Sequence, residues 1–265
     1  MYRLRQGAVA RLALTVLVGL LASPAGSARA DHDMAMSGHH HGAPELALGV
    51  SLEAAEFDTA YYAGSYQGIA PSVGWMSGRL GASAAIGLYH ITENGLSRYG
   101  FGDAMVAAHV TAVATDAFDT GVALHMMWPT GSEIAGLGMG HMMAMPSLWA
   151  TWRSHPITVH ATGGYSRALV SLDGDHDHGP MPLVDPMNMQ ELTWSAGAEV
   201  ELGHGVRVGG RTAGGVPIGP GATRVIGAGR VAWGTPRIST GFELQLGVAG
   251  DPFTLRGVVD TALRF

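Results

Sequence analysis

Leu192-Thr-Trp-Ser-Ala-Gly-Ala-Glu-Val-Glu-Leu202 carries an apolar side chain at every even position and a polar or small one at every odd position. Side chains of an extended strand point alternately to opposite faces, so this stretch predicts a strand with one apolar surface and one polar surface. Its row of Leu192, Trp194, Ala196, Ala198, Val200 and Leu202 is the longest in the chain. Shorter rows repeat the pattern. Leu46, Leu48, Val50 and Leu52 alternate with Glu45, Gly49 and Ser51. Ala104, Val106, Ala108 and Val110 are opposed by Asp103, Met105 and His109. Val122, Leu124, Met126 and Trp128 are opposed by Gly121, Ala123, His125 and Met127. Alternating segments of about ten residues, each with one face suited to lipid, are the signature of a transmembrane β-barrel.

About twelve strands are predicted, near 45–57, 63–77, 79–91, 101–115, 118–129, 140–153, 156–170, 190–203, 206–217, 223–234, 236–249 and 253–265. The connections alternate in length. Gly78-Arg79, Asp116-Ala117-Phe118, Ser154-His155-Pro156, Gly203-His204-Gly205 and the Gly234-Thr235-Pro236 region are tight. Thr92 to Gly100, Pro129 to Gly140 and Asp173 to Gln190 are long. Outer-membrane barrels combine short periplasmic turns with long outer loops, and an even strand count puts both termini in the periplasm. Tyr61, Tyr62, Trp75, Trp128, Trp152, Trp194 and Trp233 lie near strand ends or on lipid-phase rows, where aromatic girdles form. The expected fold class is therefore all-β, a transmembrane antiparallel up-and-down barrel.

Composition supports this reading. The 265-residue chain is 47% hydrophobic and 14% charged, with 40 glycines, no cysteine and a formal net charge of -6. A disordered chain is more charged and less apolar. The arginines are scattered singly and lysine is absent, so no basic patch for nucleic acid exists. Without cysteine there is neither a disulfide scaffold nor a lipid-anchored N-terminus. Arg3, Arg5 and Arg11, the apolar run Leu12 to Leu21 and Ala28-Arg29-Ala30 read as a signal peptide cleaved after Ala30. The apolar run is shorter than the roughly 20 residues of a spanning helix. The expected organisation is a signal peptide over 1–30, a His/Met-rich periplasmic segment over 31–44 and an outer-membrane barrel over 45–265. At the far end, Leu255, Val259, Leu263 and Phe265 share one phase. A terminal aromatic after alternating apolar positions looks like the insertion signal read by the barrel-assembly machinery. Outer-membrane lipid and lipopolysaccharide are the other expected partners.

Ser97-Arg98-Tyr99-Gly100-Phe101-Gly102-Asp103 is followed by Trp128-Pro129-Thr130-Gly131 and then by Gly138-Met139-Gly140. This order of elements resembles the outer-membrane transporter family of the "MetA-pathway of phenol degradation" type, over about fifty residues from Ser97 to Trp152. The resemblance implies a barrel and passage of small, often hydrophobic molecules, and it brings no catalytic residue. The motifs also have local readings. Gly100 and Gly102 permit tight backbone geometry, and Pro129-Thr130-Gly131 is a turn where a strand meets an outer loop.

Histidine and methionine distinguish this chain. The mature N-terminus carries His32, Met34, Met36, His39, His40 and His41, and the longest loop carries His176 and His178. Imidazole suits copper, zinc and nickel, and thioether selects Cu(I). A free amine at Asp31 followed by His32 suits Cu(II). On strand parity Met105, His109, His125, Met127, His141, Met143, Met145 and His160 all point away from lipid. A fold about Ala117 would pair His109 directly with His125 and let them share one ion. Met105, His109, His125, Met127 and His160 are the expected pore lining, with Met and His equally serviceable as adaptable lumenal fillers. The expected function is an outer-membrane channel for a small solute, with copper the specific candidate as ligand or substrate and no required cofactor. A channel for small aromatic or hydrophobic molecules is the alternative, which a broad apolar lumen would support. An enzyme is not expected, since His160, Ser166 and Asp173 carry no local catalytic motif. A closed, filled lumen would instead mark a structural barrel.

Overall fold

The structure, a computed structural model, describes residues 44–58, 63–170, 184, 186–250 and 253–265. The expected signal segment, the tail residues 31–43, Tyr61, Tyr62, Asp173, His176 and His178 lie outside the described residues.

Among the described residues fourteen strands form: β1 (Glu45–Asp58), β2 (Ala63–Ser77), β3 (Leu80–Ala85), β4 (Leu88–Glu93), β5 (Leu96–Phe101), β6 (Ala104–Ala114), β7 (Phe118–Trp128), β8 (Met143–Ser154), β9 (Ile157–Ala168), β10 (Gln190–Gly203), β11 (Val206–Pro217), β12 (Arg224–Gly234), β13 (Ile238–Ala249) and β14 (Leu255–Arg264). β2 pairs with both β3 and β4, while β3 pairs with β6 and β4 with β5. Each of these interrupted pairs therefore serves as one stave, and the barrel has twelve. β1 pairs with β2 on one side and with β14 on the other, so the sheet closes on itself and is antiparallel throughout. The Phe265 amide completes the seam by donating to the Leu46 carbonyl at 2.9 Å.

Alternation decides which way each strand faces. Leu48, Val73, Leu80, Val106, Val122, Leu148, Val159, Leu192, Val208, Val231 and Leu244 are exposed on the outer surface. Ser51, Glu53, Asp119, Thr151, Glu191, Ser195, Glu243, Arg256 and Asp260 are buried inside. An apolar exterior around a polar interior is an inside-out arrangement that only an apolar solvent stabilises. At the end carrying the tight turns and both termini, Trp75, Trp152 and Trp233 of the expected aromatics stand on the outer face, joined by Phe118 opposite Trp152.

Two expectations are corrected. The stretch Thr92 to Gly100 is not an open loop. It is the β4–β5 hairpin, closed by Asn94 and Gly95 at φ +50° and +82°. Asn-Gly favours this turn because both central residues must adopt positive φ. The second correction concerns β6 and β7. His125 stands opposite Ala107, and His109 opposite Ala123. The turn is Asp116-Ala117, fixed where the Phe118 amide donates to the Thr115 hydroxyl at 2.9 Å. A bulge between Thr111 and Val113 then inserts one residue into β6. Turn and bulge together slide the two histidines from direct to diagonal neighbours.

Candidate functional site: a two-sided lumen

The interior has two chemically different walls. Across β10 to β14 it is a ladder of charges. Arg230 grips Asp260 through two bonds of 2.5 and 2.6 Å, and Arg211 grips Glu243 through bonds of 3.1 and 2.8 Å. Gln245 also donates to Glu243, and Arg256 donates to Gln245 at 2.7 Å while lying 4.7 Å over the Phe253 ring. Arg224 bonds Glu191 at 2.5 Å. Pairing offsets the cost of placing charges where water is scarce, because an unpartnered charge there is far more costly than a paired one.

Across β6 to β9 the lining is methionine, histidine and small polar residues. Met105 stands opposite Met127, and Met127 opposite Met143, so three adjacent strands present one methionine row. The next row runs Ala107, His125, Met145. His109 lies lower, with its ring turned onto β3: a Cβ added at Gly81 would come within 2.0 Å of the His109 ring. His160 likewise lies over Gly197, and its Nε2 is buried without a hydrogen-bond partner. These glycines leave room for rings that a side chain would exclude.

Of the residues expected to line a pore, Met105, His125 and Met127 stand in these two rows, while the His109 and His160 rings lie over Gly81 and Gly197. The proposed His109–His125 metal pair is not formed, because the register offsets them and the His109 ring leans away from β7. Among the described residues no three His, Asp or Glu side chains gather at one point. His141 precedes β8 in a buried loop position and is not on a strand. Ser166 and His160 are six residues apart on β9, roughly 20 Å at the rise of a strand, so they make no catalytic pair.

Sequence reasoning missed how the long loops behave. The 129–142 segment turns into the barrel and buries Leu137, Met139 and His141. Asp103 holds it there, accepting from the amides of Gly131 at 2.9 Å and Met139 at 2.7 Å. Thr130 adds a bond to the Gly102 carbonyl at 2.8 Å. The Gly-Phe-Gly-Asp, Pro-Thr-Gly and Gly-Met-Gly motifs are thus three parts of one clamp. Gly138 belongs to it because a Cβ there would lie 2.2 Å from the Asp103 carboxylate. The stretch 186–189 is anchored similarly. Asn188 donates to Glu191 at 2.6 Å and to the Ala222 carbonyl at 3.1 Å, and Arg224 donates to the Pro186 carbonyl.

Two apolar clusters fill the loop end. Phe57, Tyr66, Tyr89, Ile91, Leu137, Val184, Ile226 and Phe253 form one. Met127, Met139, Met143 and Ala168 form the other, with Met105, Met145, Met187 and Met189 packed against them. Between the walls remains a cavity of 190 Å³, lined by Met105, His125, Met127 and Met145 on one side and Glu191, Arg211, Arg224 and Arg256 on the other. Pro186 and Met187 also line it.

No family model matches the sequence, and no curated protein does. Solved structures are similar in fold. An outer-membrane channel from Pseudomonas putida F1 superposes with a TM-score of 0.66 at 10% identity, over 90% of this chain and 100% of that one. The KdgM porin superposes with a TM-score of 0.53 at 9% identity, over 83% and 99%. The translocator domain of the autotransporter NalP from Neisseria meningitidis gives 0.50 at 12%, over 87% and 92%. The chain has the fold of a bacterial outer-membrane β-barrel, and within that class its architecture is similar to channels and porins.

Proposed function

We propose that this protein is an outer-membrane channel for a small solute, constricted at its outer end by its own loops. The observation that carries this reading is the 190 Å³ cavity inside a closed barrel, set between a thioether and imidazole wall and a wall of paired charges. A space of this size suits an ion or a molecule no larger than about one aromatic ring. The solute favoured by the lining is a soft transition-metal ion, copper first, since thioether and imidazole are its preferred neutral ligands. His32, Met34, Met36 and His39 to His41 would gather the metal on the periplasmic side, and His176 and His178 on the outer side. In this reading the apolar exterior sits in outer-membrane lipid beneath lipopolysaccharide, and Phe265 is read by the assembly machinery.

The aromatic cluster of Phe57, Tyr66, Tyr89 and Phe253 favours a second reading, passage of small aromatic molecules. Proteoliposomes separate the two. Copper entry that is slowed by Met127→Leu supports the metal reading. Entry of phenol-sized solutes without copper supports the alternative. If the purified protein passes neither and gives no single-channel steps in a planar bilayer, the channel reading fails.

A further inference from the structure

We propose that the methionine cluster at the loop end is a binding site for one monovalent soft cation, Cu(I) or its redox-inert mimic Ag(I), shared between the barrel wall and the inward-turned loops. The inference rests on the soft-metal reading above and gives it a place and an oxidation state. Ten methionines are described: Met76, Met105, Met126, Met127, Met139, Met142, Met143, Met145, Met187 and Met189. Seven of them, all but Met76, Met126 and Met142, belong to one cluster. Among the described residues, the neighbouring aromatic cluster occupies the same lumen and contains no methionine. If methionine served only as an adaptable filler, it would be shared between two clusters with the same packing task.

Geometry brings the thioethers together from three directions. Met105, Met127 and Met143 are directly opposed on adjacent strands, which puts neighbouring Cβ atoms about 4.5–5.5 Å apart. Met139 comes from the loop that Asp103 holds inside. Met189 comes from the other loop, where its carbonyl accepts from the Ala168 amide at 2.8 Å, and Ala168 is the cross-strand partner of Met143. Met127 and Met143 are 2% and 0% exposed, so an ion between them is cut off from water. Neutral sulfur ligands in such an enclosure suit a single positive charge. A divalent ion would meet a larger desolvation penalty among neutral ligands. His125 and Met145 lie one row further in, toward the cavity. An ion held here would also tie both loops to the wall.

The test uses the full chain purified from outer membranes and Ag(I) as the probe, in chloride-free buffer. Bound Ag(I) is counted by equilibrium dialysis, and [13C-methyl]methionine resonances report which sulfurs are touched. Three proteins are compared: the unaltered chain, Met127→Leu/Met143→Leu, and His39→Ala/His40→Ala/His41→Ala. Leucine conserves volume, so the barrel should still show heat-modifiable mobility. Met105→Leu/Met189→Leu substitutes if the first pair does not fold. The site predicts loss of one Ag(I) per chain in the methionine variant, no such loss at the cluster in the histidine variant, and Ag(I)-dependent shifts of the buried methyl resonances. Equal Ag(I) uptake by the unaltered chain and the methionine variant overturns it, as does tight uptake that vanishes entirely with the histidines. Copper flux is measured separately. A barrel that binds Ag(I) at the cluster and passes no copper keeps the site and loses the transport reading. Undiminished flux beside lost Ag(I) binding leaves the site in place and removes it from the route.

Discussion

Asp103 accepts amide hydrogens from Gly131 and Met139, two residues far along the chain, and so fixes a loop that no strand pairing holds. Asp103→Ala should strand both amides and release the loop. The expected loss is about 3–6 kcal/mol of stability, summing two bonds to a charged acceptor at about 1.5–3 kcal/mol each. Urea unfolding followed by tryptophan fluorescence measures it, and bilayer conductance should rise in the same variant. Asp103→Asn retains an acceptor and should fall between. Glycine is equally specific where a ring needs its space. Gly102→Val would drive a side chain into the Tyr89 ring, since a Cβ there already lies 2.6 Å from it. We expect that variant to lose heat-modifiable folded protein, and Gly163→Ala, where nothing lies within 4 Å, to keep it. The motif glycines and the aspartate stood out in the sequence, but their common purpose did not. Hydrogen bonds across 28 and 36 residues leave no periodic trace.

The β6–β7 hairpin shows how a single inserted residue resets chemistry across a pair of strands. With Ala112 bulged out, Ala107 meets His125. An Ala107→Cys/His125→Cys variant should therefore form a disulfide on mild oxidation, and His109→Cys/His125→Cys should not, because only the first pair meets the Cα separation a bridge needs. Non-reducing electrophoresis reads the result, and the reverse outcome would restore the direct histidine pair. The sequence shows the alternation and the turn, but parity is blind to a bulge that lies between correctly phased halves. The rungs of the charged wall belong to pairs of strands in the same way. Arg211→Ala leaves Glu243 buried without its bidentate partner and should destabilise the barrel by about 3–5 kcal/mol, whereas Arg211→Met/Glu243→Leu should be much milder. Chemical unfolding of both variants checks the difference. Which arginine meets which carboxylate depends on register, and spacing along the chain does not encode it.

For the barrel as a whole, the outer face must be apolar along every stave, since lipid offers no partner for a charge. Leu148 is 66% exposed near the middle of β8. Leu148→Arg should lose about 2–4 kcal/mol of folding free energy in lipid vesicles, the figure for a cation at the bilayer midplane. Ser147→Arg, one residue away but facing the lumen, should be milder, and the comparison tests the orientation of the entire sheet.

Stave number, strand direction, the two faces of each strand and the end holding both termini followed from alternation and loop length. These are local properties, written residue by residue because lipid and lumen demand opposite side chains at successive positions. The inward fold of the loops, the seven-methionine cluster and the separation of a charged wall from a thioether wall came only with the tertiary structure. Each depends on contacts among neighbouring staves and inward-turned loops, which register and loop packing set and spacing along the chain does not encode.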